Sequence, residues 1–205
     1  MRLGIGATTR FSLMAAAVFM AGAVQLFTAD PAIAQQCPPS DFVTGGGWIL
    51  PDLNVKANFG VGGGCKFGSP TWGHLEYIDH GTGLNVHWTR ITAYLEVDSS
   101  TDSRGKPIGA RRICGTARTN QYGDVDWVVF ARDTGEPGVD DEFVIRLTTP
   151  GVIPINILYT TEFDSDHTLG GPGPGGGNIQ LHNPNPSTMG EFGGDCPAFP
   201  TFTGG

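Results

Sequence analysis

The sequence predicts an all-β chain, a single antiparallel β-sandwich or jelly-roll-like domain stapled by two disulfides. Three observations carry that expectation. Past residue 34 no stretch of ten or more residues has helical periodicity, and the apolar residues alternate or form short β-branched runs. Glycine and proline, 32 and 15 of the 205 residues, punctuate those runs throughout. Four cysteines all follow an N-terminal segment that reads as an export signal, the setting in which an even cysteine count reads as disulfides.

That signal is residues 1–34. Arg2 and Arg10 give a basic start, "FSLMAAAVFMAGAVQLF" is the apolar stretch, and Ala32-Ile33-Ala34 fits a small-residue cleavage site. The apolar stretch is Ala-rich and short for a membrane span, and Gln36 stands before Cys37 where lipoprotein processing wants a small residue. No later segment is apolar enough to span a bilayer. The mature chain is therefore expected to be secreted or held by other molecules at the cell-envelope exterior. Losing Arg2, Arg10 and Asp30 leaves it one charge more negative than the −8 of the full chain, which argues against nucleic acid or an anionic membrane as partner.

Along residues 35–182 the expected strands are 47–50, 55–59, 74–79, 84–97, 110–118, 125–132, 142–148, 155–161 and 178–182. Phe143, Ile145 and Leu147 alternate with Glu142, Arg146 and Thr148, so the first set faces a core and the second water. "HLEYIDHGTGLNVHWT" reads as a hairpin turning at "HGTG", with Tyr77 near Val86 and Glu76 near His87. A second hairpin turns at "EPG", with Pro137 and Gly138 at the centre of a type II turn. Residues 98–109 read as a polar loop and 183–205 as a Pro/Gly-rich tail tied by Cys196. Of the three possible connectivities, Cys37–Cys196 with Cys65–Cys114 is preferred. The outer pair brackets the domain and would lock the adjoining ends of its first and last strands.

"VTGGGWI", "KANFGV", "GHLEYIDHGTGLNVH", "ICGTAR", "DTGEPGVDDEFVIRL" and "GGGNIQLH", in this order over residues 43–182, resemble the post-COAP-1 domain of secreted and surface-attached bacterial proteins. The resemblance implies an all-β extracellular module, often one part of a larger protein. It brings no activity, ligand or catalytic residue, and Cys65 and Cys114 depart from its pattern.

Chemistry concentrates in "FARDTGEPGVDDEFVIRL", where five carboxylates flank one turn. Asp133, Glu136, Asp140 and Asp141 form a candidate calcium site, since calcium takes six to eight oxygens and a cation relieves carboxylate repulsion. The spacing is not that of an EF-hand. The competing reading is a solvated hairpin tip that adds charge and protects an edge. A glycosidase would need two carboxylates across a sugar, one desolvated, which neighbours on an exposed tip do not supply. There is no G-x-S-x-G or H-E-x-x-H, and "GPGPGG" is a spurious G-x-G-x-x-G match, because it precedes a strand and holds two prolines. His74, Asp79, His80 and His87 surround one hairpin, but His74 and His80 lie too far apart along a strand to share a zinc ion. Trp48 and Trp127 are expected in the core, whereas Trp72 in "SPTWGH" is the aromatic residue best placed to face a glycan.

Three functions follow as expectations. The first is a non-catalytic extracellular or envelope-associated module with an adhesion, structural or interaction role, partnered by a glycan or another envelope protein and stabilised by calcium. The second is a carbohydrate-binding or carbohydrate-active protein using acidic residues and Trp72. The third is a self-assembling surface subunit that accepts a neighbour's strand beside the Gly-rich stretch 171–182.

Overall fold

The computed structural model describes residues 41–52, 55–151, 155–164, 166–173, 175–188 and 190–196. The signal segment 1–34 and Cys37 lie outside the described residues. The described strands are β1 (Phe42–Asp52), β2 (Val55–Lys66), β3 (Ser69–Asp79), β4 (Leu84–Thr101), β5 (Pro107–Thr119), β6 (Gly123–Asp133), β7 (Glu142–Thr148), β8 (Ile157–Thr160), β9 (Gly177–His182) and β10 (Gly193–Gly194). All pair antiparallel, and hydrogen bonds join them into one ten-stranded sheet of order β8-β7-β6-β5-β4-β3-β2-β1-β9, with β10 added to β4.

The alternation read from the sequence sets the faces. Val43, Ile49, Phe59, Val61, Leu75, Tyr77, Val86, Ile113, Trp127, Ile145 and Leu147 all enter one buried cluster. Phe59 of β2 stacks on Phe143 of β7 at 3.8 Å, and Tyr77 of β3 meets Tyr159 of β8 at 5.8 Å. Strands several places apart in the sheet thus face each other across the core. Between them in the sheet order, the β4–β5 ladder carries three register shifts, at Trp88/Arg90, Ile91/Ala93 and Glu96/Asp98. Bulges of this kind bend a strand and increase its twist.

Polar networks sit toward the two ends of that core. Near the β3–β4 turn, Tyr77 and Tyr159 share a hydrogen bond of 2.6 Å, and Tyr159 donates to Asp79 at 3.1 Å. Burial first, then the neighbouring Tyr77 and Asp79, hold the Tyr159 hydroxyl far above its ordinary pKa. Near the β4–β5 turn the buried Arg111 guanidinium pairs with Asp41, donates to Ser99 and to the carbonyls of Asp98 and Ala110, and lies over Phe192. Tyr94 donates to Asp41 in the same network.

Several expectations are corrected. The strand expected at 47–50 is the longer β1, which takes in the whole first glycine cluster, and β4 and β5 run through most of the expected 98–109 loop. Only residues 102–106 turn, held by the Asp102 carboxylate, which accepts from the backbone N–H of Arg104 and Lys106 at 2.8 Å. Those bonds, that of Lys106 foremost, hold Asp102 below the usual carboxylate range. Arg146 and Thr148 do not face water: both are buried, and Arg146 is ion-paired with Glu162.

The preferred cysteine pairing is also replaced. The disulfide joins Cys114 to Cys196, with Cα atoms 5.3 Å apart. Registry explains it, because Gly194 pairs with Ala93 and Ala93 pairs with Cys114. β10 therefore delivers Cys196 to the outer face of β5, beside Ala93, Cys114 and Val128. Cys65 points the other way, into the main core, so Cys65–Cys114 cannot form. The first and last long strands do adjoin, from Phe42↔His182 to Gly47↔Gly177.

Candidate functional site

β9 is an edge strand, and the acidic turn is what covers it. In its ladder with β1, alternate residues direct their N–H groups away from the partner strand. Ile179 and Leu181 are two such residues. The Ile179 N–H donates to Oδ2 of Asp141 and the Leu181 N–H to Oδ2 of Asp133, both at 2.7 Å. Each carboxylate also steadies its own loop. Oδ1 of Asp133 accepts from the Gly135 N–H at 2.7 Å, and Oδ1 of Asp141 accepts from the Thr134 N–H at 2.9 Å and its hydroxyl at 3.1 Å. Two carboxylates thus take the place of the next strand and occupy donors that would otherwise template another chain.

Asp133 and Asp141 are 5% and 0% exposed. Burial pushes both carboxyls above the ordinary value of 3.8, against the backbone N–H bonds that pull them down; the charge of Glu136 adds to the rise in each. The other three carboxylates go elsewhere. Glu136 is exposed and accepts from Asn178 Nδ2 at 3.4 Å, Asp140 is exposed, and Glu142 pairs with Arg132 at 3.2 Å. Among the described residues no three His, Cys, Asp or Glu side chains gather to hold a metal ion. Beside the turn is a depression of about 10 Å³, room for roughly one water, lined by Asp102, Lys106, Asp133, Glu136, Gln180 and Leu181.

The turn differs from the expected type II. Gly138 N–H donates to the Gly135 carbonyl at 2.9 Å, and the Glu136–Pro137 bond is cis, so Pro137 is the third residue of the turn and not the second. Gly138 has φ +75°, and a Cβ there would lie 2.1 Å from Asn178 Oδ1 and 2.8 Å from Asp141 Oδ2. Only glycine fits both the conformation and the space.

The candidate histidines do not converge. His87 pairs with Glu76 at 2.5 Å across β3–β4, as their register requires, and His80 bonds Asn58 at 2.8 Å. His74 lies over Gly62. Trp127 is fully buried, but Trp48 is not a core residue: it is half-buried on the outer face, with the Lys56 ammonium 4.0 Å from its ring centroid. Trp72 is half-buried on that same face. Its ring meets Phe42 edge-on at 6.0 Å and lies under Lys66 at 5.1 Å. Phe42 stacks in turn on His182 at 4.5 Å, whose Nε2 is 2.7 Å from the Thr44 hydroxyl.

No motif in the sequence marks this outer face, but its alternation is there. Alternate residues of β2 read Lys56, Asn58, Gly60, Gly62, Gly64 and Lys66, a period-2 pattern hidden inside a glycine-rich run. Comparison of the chain with protein-family models, curated proteins and solved structures finds no match.

Proposed function

We propose that this chain is an exported, non-catalytic extracellular or envelope-associated module that acts by binding. The observation that carries this reading is the commitment of Asp133 and Asp141. The two most deeply buried carboxylates of the one chemically dense segment are engaged by four backbone N–H groups and a hydroxyl, and the space beside them admits about one water. A carboxylate engaged in this way on both oxygens is poorly placed to move a proton on a substrate. The curled sheet belongs to the same proposal: its two halves act as the facing layers of a sandwich, supported by the Phe59–Phe143 and Tyr77–Tyr159 contacts. Export rests on the N-terminal pattern, and the extracellular setting also on the resemblance to post-COAP-1 domains.

Two measurements test this reading. N-terminal sequencing of the protein released by an expressing cell should begin at Gln35. Incubation of that protein with a panel of polysaccharides should release no reducing ends beyond those of an Asp133→Asn/Asp141→Asn control. Release that the double variant abolishes while staying folded would make the chain an enzyme.

A further inference from the structure

We propose that the outer face of β1, β2, β3 and β9 binds a linear anionic polysaccharide, an inference that rests on the binding-module reading above. The outward positions of β2 place a lysine at each end of a track. Lys56 holds its ammonium 4.0 Å from the Trp48 ring centroid, and Lys66 holds its own 5.1 Å from that of Trp72. The ring quadrupole attracts each cation and orders it above an aromatic surface. Trp48 pairs in register with Asn58 and Trp72 with Gly64, so the two lysine–tryptophan sites lie six residues apart along β2, about 20 Å.

The stretch between them is open. Gly46 and Gly60 face each other across β1–β2, and the register runs through both without a shift. Neither has a positive φ. A Cβ on Gly60 would meet nothing within 4 Å, and one on Gly46 only the Phe59 carbonyl at 3.4 Å. The neighbouring glycines have internal reasons, since the His74 ring covers Gly62 and Phe42 covers Gly64. Gly46 and Gly60 have none, and a glycine inside a regular strand with no internal contact to spare marks a place where something else approaches the backbone. Asn58, whose Oδ1 is engaged by His80, and Gln180 share this face and turn amide groups toward it that can pair with hydroxyl groups.

Charge identifies the occupant. The chain carries −8 overall, yet among the described residues neither lysine has a carboxylate within ion-pair distance. Glu76 and Glu136 reach the borders of the same face, the first engaged by His87 and the second by Asn178. An anion therefore complements the track. A polyphosphate carries a denser charge against the molecule's net −8 and brings no hydroxyl groups for the amide side chains. An acidic peptide gains its affinity by backbone pairing at a sheet edge, which a sheet face does not offer. A sugar polymer bearing carboxylates satisfies the lysines, the aromatic surfaces and the amide side chains together.

The test is calorimetric titration of the full-length protein, at low and high salt, with polygalacturonate, neutral dextran and polyglutamate. Polygalacturonate should bind, more weakly at high salt, and dextran at least about tenfold more weakly. Lys56→Gln/Lys66→Gln, still cooperatively folded, and, separately, Gly60→Thr, with Tm not lowered, should each weaken polygalacturonate binding by about tenfold or more. The threonine fills the track at a position where the fold leaves room. No binding, binding unchanged in the variants, or equal binding of polyglutamate would overturn the proposal and leave the non-catalytic reading standing. Depolymerisation of polygalacturonate would instead overturn that underlying reading.

Discussion

Replacing Asp141 by Asn preserves the size of the side chain but exchanges one acceptor oxygen for an N–H₂ group. Because its two oxygens face Thr134 and Ile179, the amide must turn a donor toward one of two N–H donors. That mismatch in a buried site should lower unfolding stability by about 1–3 kcal/mol, read by urea denaturation; an unchanged midpoint would mean the contact is not made. The pH dependence has a definite sign. Burial holds Asp133 and Asp141 above 3.8. The folded chain then takes up protons before the unfolded one as pH falls. Their contribution to stability is fully present below 3.8 and is lost as pH rises through the raised values. Asp133→Asn/Asp141→Asn should abolish that component of the stability–pH curve. His182 works in the opposite sense. Burial lowers its pKa below 6.5, so the unfolded chain protonates first and stability is lost as pH falls through that window.

At the scale of elements, β9 and β10 show what could be read from residues alone and what could not. Period-2 alternation made β4 to β7 legible, because Val86, Ile113, Trp127 and Ile145 advertise a buried face in every local window. The β3–β4 hairpin was legible for the same reason, and its Glu76–His87 pair falls where the register puts it. The acidic turn reads as a solvated, exposed hairpin tip, whereas Asp133 and Asp141 are buried as the cover of β9; Leu181 lies 48 residues from Asp133 and Ile179 lies 38 from Asp141. No local pattern encodes a contact at that distance. β10 escaped for a different reason: two glycines carry no strand signal, and they pair only because β4 offers them free backbone groups at Ala93 and Tyr94. The cysteine pairing failed with it, since Cys196 travels with β10 and not with β9. A non-reducing digest should link the peptides containing Cys114 and Cys196; a Cys65–Cys114 link would contradict the fold. Cys114→Ser/Cys196→Ser opens a closure spanning 82 residues, and unfolding stability should fall by about 4 kcal/mol on loop entropy.

Across the whole molecule, one continuous antiparallel sheet buries its inner face against itself, with Phe59 of β2 stacked on Phe143 of β7. Polar networks lie toward both ends of that core, around Arg111 and around Asp79. The carboxylates that look most like chemistry close an edge of the same sheet, and the face left with ordered cations lies outside it. The central claim is therefore that Asp133 and Asp141 serve the backbone of β9. Amide hydrogen exchange of Ile179 and Leu181, followed by NMR in the wild type and in Asp133→Asn/Asp141→Asn, tests it most directly. Both amides should be strongly protected in the wild type despite belonging to an edge strand, and should lose at least about tenfold of that protection in the double variant while Val129 and Ile145 in the central strands stay protected. Rapid exchange of the two amides in the wild type would contradict it.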